Sequence, residues 1–272
     1  MFASMKDITP TTTTPTPTLT LGGERTLSRM GFGTMRLTGQ PGNFGPYRDW
    51  GDAVALLREA AELGVEFFDS ARSYGPLWTD KLLGEAFDGY GERVFLATKG
   101  GVDKVAPGQI VVDGRPETLA REIDEALVNL RRERIDLFQL HRVDPEVPVA
   151  ESVGAIGRAV EAGKVRFVGL SNVSPEQLRE AESTHAIASV QNRFHLEDHR
   201  HETLLDYAAE RGMVFIPHGP LGASGYEAGA KLPVREALTY LLERAGNTLL
   251  IPGTTSPVHL RENVQTFRDA TA

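Results

Sequence analysis

The stretch 67-FFDSARSYG-75 sets a carboxylate, Asp69, at the end of an apolar run and a phenol, Tyr74, five residues later. Two more ionisable side chains close apolar runs further on: Lys99 in 94-VFLATKG-100 and His141 in 134-RIDLFQLH-141. One such residue alone is as readily a structural hydrogen-bonder. Several converging on one place would form a buried charge cluster, which is costly unless it has a task. A free tyrosine titrates near pH 10 and is a poor acid at neutrality. An ammonium beside it favours the phenolate, so Lys99 is expected to lower the pKa of Tyr74. Asp69 would keep Lys99 charged and in place. His141 would orient a substrate oxygen or help pass the proton. Such a set delivers a proton to a carbonyl oxygen as negative charge develops there. It contains no acylatable nucleophile and no metal cage, so it needs a hydride partner.

These residues come together only if the elements carrying them are neighbours. Apolar β-type runs recur at 65–71, 94–100, 134–141, 165–172, 189–195, 213–219 and 247–253, and 30-MGFGTMRL-37 precedes them. Helix-spaced segments lie between, such as 116-PETLAREIDEALVNLRRE-133, with Pro116 suited to the first helical position. Eight apolar strands alternating with helices predict an α/β protein, a (β/α)8 TIM barrel. The alternative is a doubly wound open sheet, which should carry GxGxxG after its first strand; GFGTMR does not match. In a barrel the strand ends carry the chemistry, and Asp69, Lys99 and His141 end the second, third and fourth. The run 18-TLTLGGERTLS-28 reads as a β-hairpin expected to close the barrel bottom. Residues 1–18, rich in Thr and Pro, are expected to form a disordered leader, and 19–272 a single domain.

The formal net charge of -8 argues against nucleic acid as a partner, and 131-RRER-134 reads as positive charge at a helix C-terminus. With no cysteine, disulfide scaffolds and thiolate chemistry are excluded. No apolar run reaches the roughly 18 residues of a membrane span, and the N-terminus lacks the pattern of a signal peptide. A cytoplasmic, monomeric protein is expected.

The motifs together resemble those of the aldo-keto reductases, NAD(P)H-dependent carbonyl reductases on a (β/α)8 barrel, from about Leu19 to about Phe267. The family tetrad of Asp, Tyr, Lys and His is matched by Asp69 and Tyr74 in 69-DSARSYG-75, Lys99 in 96-LATKG-100 and His141 in 137-LFQLHR-142. The resemblance implies a small carbonyl substrate and NADP(H) as cofactor. It implies that Ser171, Asn172 and Gln191 hold the carboxamide, with Gly33, Thr34, Met35 and Asp69 near the nicotinamide ribose. It assigns Gly253, Thr254, Thr255, Ser256, His259, Glu262 and Asn263, in 251-IPGTTSPVHLREN-263, to the adenosine end. His218, Pro220 and Leu221, in 218-HGPLG-222, fall where many members have Y-S-P-L-G, so His218 replaces the stacking aromatic. A free His titrates near neutrality, which predicts pH-dependent cofactor affinity.

Two further departures stand out. The segment 221-LGASGYEAGAKLP-233, which covers the pyrophosphate in the family, is short. Gly253 and His259 occupy the positions where well-studied members grip the 2′-phosphate with Lys and Arg; Thr254, Thr255, Ser256 and Arg261 are the possible substitutes. The alternative to an enzyme is a cofactor-binding sensor with little turnover. Tyr47, Trp50 and Trp78 would wall an apolar substrate pocket, or else pack as loop caps. The cluster 195-HLEDHRH-201 invites a metal, but with no supporting pattern of outer partners it reads as a solvated loop and no metal is expected.

Overall fold

The computed structural model of the chain describes residues 17–223 and 230–271. The expected leader lies outside the described residues except at its end, where Thr18 already belongs to a strand.

Strands β1 (Thr18–Leu21) and β2 (Arg25–Ser28) pair antiparallel around Gly22 and Gly23. The chain then alternates: β3 (Gly31–Gly33), α1 (Trp50–Glu62), β4 (Phe67–Asp69), α2 (Trp78–Ala86), β5 (Phe95–Gly100). A second hairpin follows, β6 (Val102–Ala106) and β7 (Gln109–Val112), which the sequence reading had not separated from the loop after β5. Alternation resumes with α3 (Pro116–Leu130), β8 (Ile135–Leu140), α4 (Val149–Glu161), β9 (Val165–Ser171), α5 (Pro175–Glu182) and β10 (Ile187–Gln191). It ends with α6 (Glu202–Glu210), β11 (Val214–Phe215), α7 (Val234–Arg244) and α8 (Pro257–Ala270). Helix starts follow their local chemistry. Pro116 opens α3, Ser174 and Gln177 form a capping box at α5, and Ser256 caps α8.

One seven-stranded parallel sheet runs β11-β10-β9-β8-β5-β4-β3. The expected eighth strand is not a regular strand. Residues 247–251 make isolated parallel bridges instead, Thr248 to Phe215 of β11 and Leu250 to Met30 just before β3. Gly31 N–H donates to Leu250 O at 2.7 Å, and Leu249 N–H to Phe215 O at 3.0 Å. This segment therefore hydrogen-bonds to both edges of the sheet. Pro252, which has no N–H, stops the pairing from extending.

Strand alternation splits the core into two layers. Phe68, Leu96, Phe138 and Leu140 face the helices, whereas Phe67, Phe95, Ala97 and Leu137 face inward. Leu19, Leu21 and Leu27 of the first hairpin join the inner layer, and a Cβ on Gly22 would lie 2.3 Å from the Phe167 ring. The hairpin thus packs against the inner layer. At the end of β3 the first and last segments approach closely where glycine stands: a Cβ on Gly253 would sit 2.4 Å from Gly33 O, and one on Gly33 2.8 Å from Ile251 O. Because the obstacle is backbone, Gly253→Ala is expected to cost about 1–3 kcal/mol, the usual penalty of overpacking. Denaturant unfolding at fixed pH checks this; an unchanged midpoint would show that the two segments separate freely.

Candidate active site

Asp69, Lys99 and His141 stand at the ends of β4, β5 and β8, as the alternation predicts. The pairing of β4 with β5 sets Asp69 opposite Ala97, leaving Lys99 just beyond the last paired position. Lys99 Nζ donates to Asp69 Oδ2 at 2.6 Å and to Ser70 O at 2.8 Å. Its third partner is Tyr74 Oη at 3.5 Å. Lys99 and Asp69 are each 1% exposed. The other oxygen of Asp69 accepts from Gln191 Nε2 at 3.0 Å and Gln139 Nε2 at 3.2 Å, so the buried carboxylate is satisfied on both sides. Thr34 adds bonds from its N–H and its hydroxyl to Asp69 O.

A tight turn returns Tyr74 over the strand ends. Arg72 N–H donates to Lys99 O at 2.9 Å and Tyr74 N–H to Ala71 O at 2.9 Å. Gly75 has φ +97°, and a Cβ there would meet the Trp78 Cβ at 2.8 Å and Gly45 O at 3.0 Å, which is why a glycine follows the tyrosine. Arg72 is held by ion pairs to Glu122, Asp103 and Glu125. Lys104 of β6 donates to Gly42 O and Asn43 O, tying the second hairpin to the loop after β3. That loop joins the turn by Gly75 N–H to Asn43 O and Gly45 N–H to Gly75 O.

The electrostatics depart from the simple expectation for Tyr74. Burial raises its pKa by more than Lys99 lowers it, so the phenol stays above its ordinary value. It is therefore a protonated donor at neutral pH rather than a ready phenolate. Burial also opposes the charge on Lys99, but Asp69 and Tyr74 outweigh it and its pKa is raised. Burial, then Lys99, holds His141 well below its ordinary value. The His141 ring meets Tyr74 edge-on at 6.0 Å, with Nδ1 3.4 Å from Ser73 Oγ.

A cavity of about 760 Å³ runs from Tyr74 and Asp69 to the start of α8. It brings together Gly33, Met35, Pro220, Leu221, Gly253, Thr254, Thr255, His259, Glu262 and Asn263. Thr34 is buried behind this wall, and Ser256 Oγ accepts from the His259 N–H. Ser171, Asn172, Gln191 and His218 do not line the cavity; they bond one another at its side. Ser171 Oγ donates to Gln191 O at 2.9 Å, and Asn172 Nδ2 bonds Ser171 Oγ and His141 O. His218 Nε2 lies 3.1 Å from Asn172 Oδ1. Burial, then Lys99, lowers the pKa of His218 to about 3, so this ring is neutral throughout the physiological range, contrary to the expectation from its free pKa.

The aromatic residues read either as pocket walls or as loop caps lie away from the first cavity. Tyr47, Trp50 and Trp78 line a second cavity that shares no residue with the first. Trp50 opens α1 and Trp78 opens α2; their rings meet edge-on at 5.8 Å, and Trp50 Nε1 donates to Glu85 at 3.0 Å. They pack two helix starts together. Arg261 points away too, pairing with Glu59 at 2.6 Å. In 195-HLEDHRH-201, His195 is 5% exposed and bonds Arg193, His199 stacks on Tyr240 and His201 meets Asn192, while Glu197, His199 and Arg200 are exposed, so the segment is a surface turn pinned by its histidines. Among the described residues no group of three or more His, Asp or Glu is placed to hold a metal ion. None of their helices is long and apolar enough to cross a membrane. The segment 221–233 is described at its two ends only, since 224–229 lie outside the described residues.

The profile of the aldo/keto reductase family matches residues 29–233. The chain belongs to this family. An uncharacterized oxidoreductase of Schizosaccharomyces pombe is 37% identical over 254 residues, 89% of this chain and 82% of the relative. Pyridoxine 4-dehydrogenase of Escherichia coli is 34% identical over 263 residues, 91% of each. Among solved structures, an aldo-keto reductase from Klebsiella pneumoniae in complex with NADPH is similar with TM-score 0.74 and 22% identity, over 93% of this chain and 90% of that one.

Sequence reasoning missed Gln139 in this reductase, although a lone amide inside the apolar strand 137-LFQLH-141 was a visible signal. It also missed Arg36, Gln40 and Pro41, which line the first cavity from the loop after β3. His218 should not titrate between pH 5.5 and 8, and His141 should titrate well below the free value. Their folded pKa values lie below the free value near 6.5, so the stability they confer is present above pH 6.5 and is lost as pH falls toward the folded pKa. Histidine NMR titration, with His218→Gln and His141→Gln assigning the signals, checks this; a His218 midpoint near 6.5 would refute it.

Proposed function

We propose that this aldo/keto reductase reduces aldehydes or ketones to alcohols with NADPH, Tyr74 giving the proton. The observation that carries the reading is the position of Lys99 Nζ, bonded to Asp69 and to Tyr74 Oη at one cavity wall. The cavity suits a dinucleotide in size and in donors: its far end offers Thr254, Thr255 and Asn263 beside the N-terminus of α8, which favours anions. When bound, the nicotinamide supplies the hydride that adds to the carbonyl carbon. Tyr74 supplies the proton to the carbonyl oxygen, and the charge of Lys99 stabilises the phenolate that results. Asp69 fixes Lys99, and His141 positions the carbonyl. Gly33, Thr34 and Met35 would flank the nicotinamide ribose. Ser171, Asn172 and Gln191 would take the carboxamide, with His218 beside them.

NADPH is favoured over NADH on the Klebsiella complex. With Gly253 and His259 at the family's phosphate-gripping positions, the hydroxyls of Thr254, Thr255 and Ser256 would carry that contact. The same reading takes 247–251 as the eighth stave of a closed (β/α)8 barrel, with the β1–β2 hairpin as its floor. The bonds from both sheet edges support it. A monomer in the cytoplasm completes the proposal. The Escherichia coli relative makes pyridoxal and pyridoxine the first substrate pair to try.

The test is NADPH oxidation with pyridoxal and a panel of aldehydes and ketones. Tyr74→Phe should lower kcat about 100- to 10,000-fold, the usual worth of a positioned proton donor, and Lys99→Met comparably, while NADPH binding by fluorescence is kept. Native-like turnover by Tyr74→Phe would remove the tyrosine from the mechanism.

A further inference from the structure

A second buried carboxylate stands behind the tetrad. Asp80, in the first turn of α2, is 1% exposed. An acidic residue in a first turn commonly complements the helix dipole from the surface. Asp80 instead points inward and takes three bonds from two hydroxyls. Ser70 Oγ donates to Oδ1 at 2.5 Å, and Thr98 Oγ1 lies 2.9 Å from Oδ1 and 3.1 Å from Oδ2. Ser70 directly follows Asp69, and Thr98 directly precedes Lys99. Ser70 also lends its carbonyl to Lys99 Nζ and its hydroxyl to Thr79 Oγ1 at 2.7 Å. One carboxylate therefore clamps the end of β4 to the end of β5, one residue from each member of the ion pair.

The approach to α2 is strained. Leu77 has φ +63°, a conformation that side chains other than glycine's rarely adopt, and its N–H donates to Arg72 O at 2.7 Å. Such a backbone persists only where its surroundings over-determine it, and it is typical of functional turns. Asp80 lies three residues past Leu77, in the helix that this turn leads into.

We propose that Asp80 is a positioning residue for the reduction: through Ser70 and Thr98 it holds the two strand ends so that Lys99 meets both Asp69 and Tyr74. Burial raises the pKa of Asp80 to about 6 against its hydrogen bonds from Ser70 and Thr98 and the charges of Lys99 and Arg72. A carboxylate with a raised folded pKa stabilises the fold below its free pKa, and that stability is lost as pH rises through the folded value. At pH 7 the ionised group is thus less favourable to the fold than the protonated one.

The kinetic arm of the test rests on the reductase reading above. Asp80→Ala should lower kcat at least tenfold, with KM and NADPH affinity within twofold of native. Asp80→Asn, which keeps an acceptor for the hydroxyls, should stay within threefold of native kcat. It should melt no lower than native at pH 7, with any advantage shrinking as pH falls below 6. If Asp80→Ala does not fold, Thr98→Val takes its place, with an expected threefold loss in kcat alone. Native kcat in Asp80→Ala or Thr98→Val, or equal damage from Asn and Ala, overturns the proposal. If the native protein turns over no carbonyl, the reductase reading fails separately. A crystal structure of Asp80→Ala, or of Thr98→Val, then decides: a broken Lys99–Asp69 contact supports the positioning role, and an unchanged one overturns it.

Discussion

The ion pair between Lys99 and Asp69 is the constraint around which the rest of the molecule is arranged. Two charges buried at 1% exposure are tolerable only if every remaining donor and acceptor finds a partner. Those partners come from far apart in the chain: Ser70 beyond β4, Gln139 on β8, Gln191 on β10 and Tyr74 on the turn. Each must arrive within about 3.5 Å, the outer limit of a useful hydrogen bond. The parallel register of the sheet is what delivers them: Asp69 pairs with Ala97, Lys99 with Gln139, and Gln191 with Ser171. The helices and the two apolar layers keep that register rigid. The inner layer ends below the pair and so walls it off from water.

This arrangement separates what the tyrosine is from what it becomes. Burial keeps the phenol protonated at rest, and the ammonium acts on the charge that appears only when the proton leaves. An environment that simply lowered the pKa would leave less acid to give. The neutral rings of His141 and His218 fit the same scheme, since a second cation beside Lys99 would be expelled by burial and by like charge.

Much of this was legible in the residues. Alternation of apolar runs and helical spacing located the strands β3, β4, β5, β8, β9, β10 and β11, and the last polar residue of each run located Asp69, Lys99 and His141. What failed did so for physical reasons. Reading Lys99 against Tyr74 by proximity alone omitted burial, the larger effect. Trp50 and Trp78 could be read as pocket walls or as loop caps because aromatic residues near a strand end have no visible direction in a sequence; their seats at the starts of α1 and α2 turn them toward each other. The hairpin β6–β7 escaped because its strand residues are partly exposed and short, with Val105, Ile110 and Val111 facing solvent. Gln139 and Asp80 were passed over because a polar residue in an apolar run shows its use only when its partners are in view.

That hairpin carries a consequence for the turn that bears Tyr74. Lys104 grips the backbone of the loop after β3, and the same loop is stitched to the turn bearing Tyr74 through Asn43, Gly45 and Gly75. The three pieces form a hoop fastened mainly by carbonyl oxygens, which any sequence can present. Apart from Lys104 and the glycines, the outline of the hoop thus depends on backbone and not on side-chain identity. Inserting or deleting residues there would undo the fastening and reach the tyrosine directly.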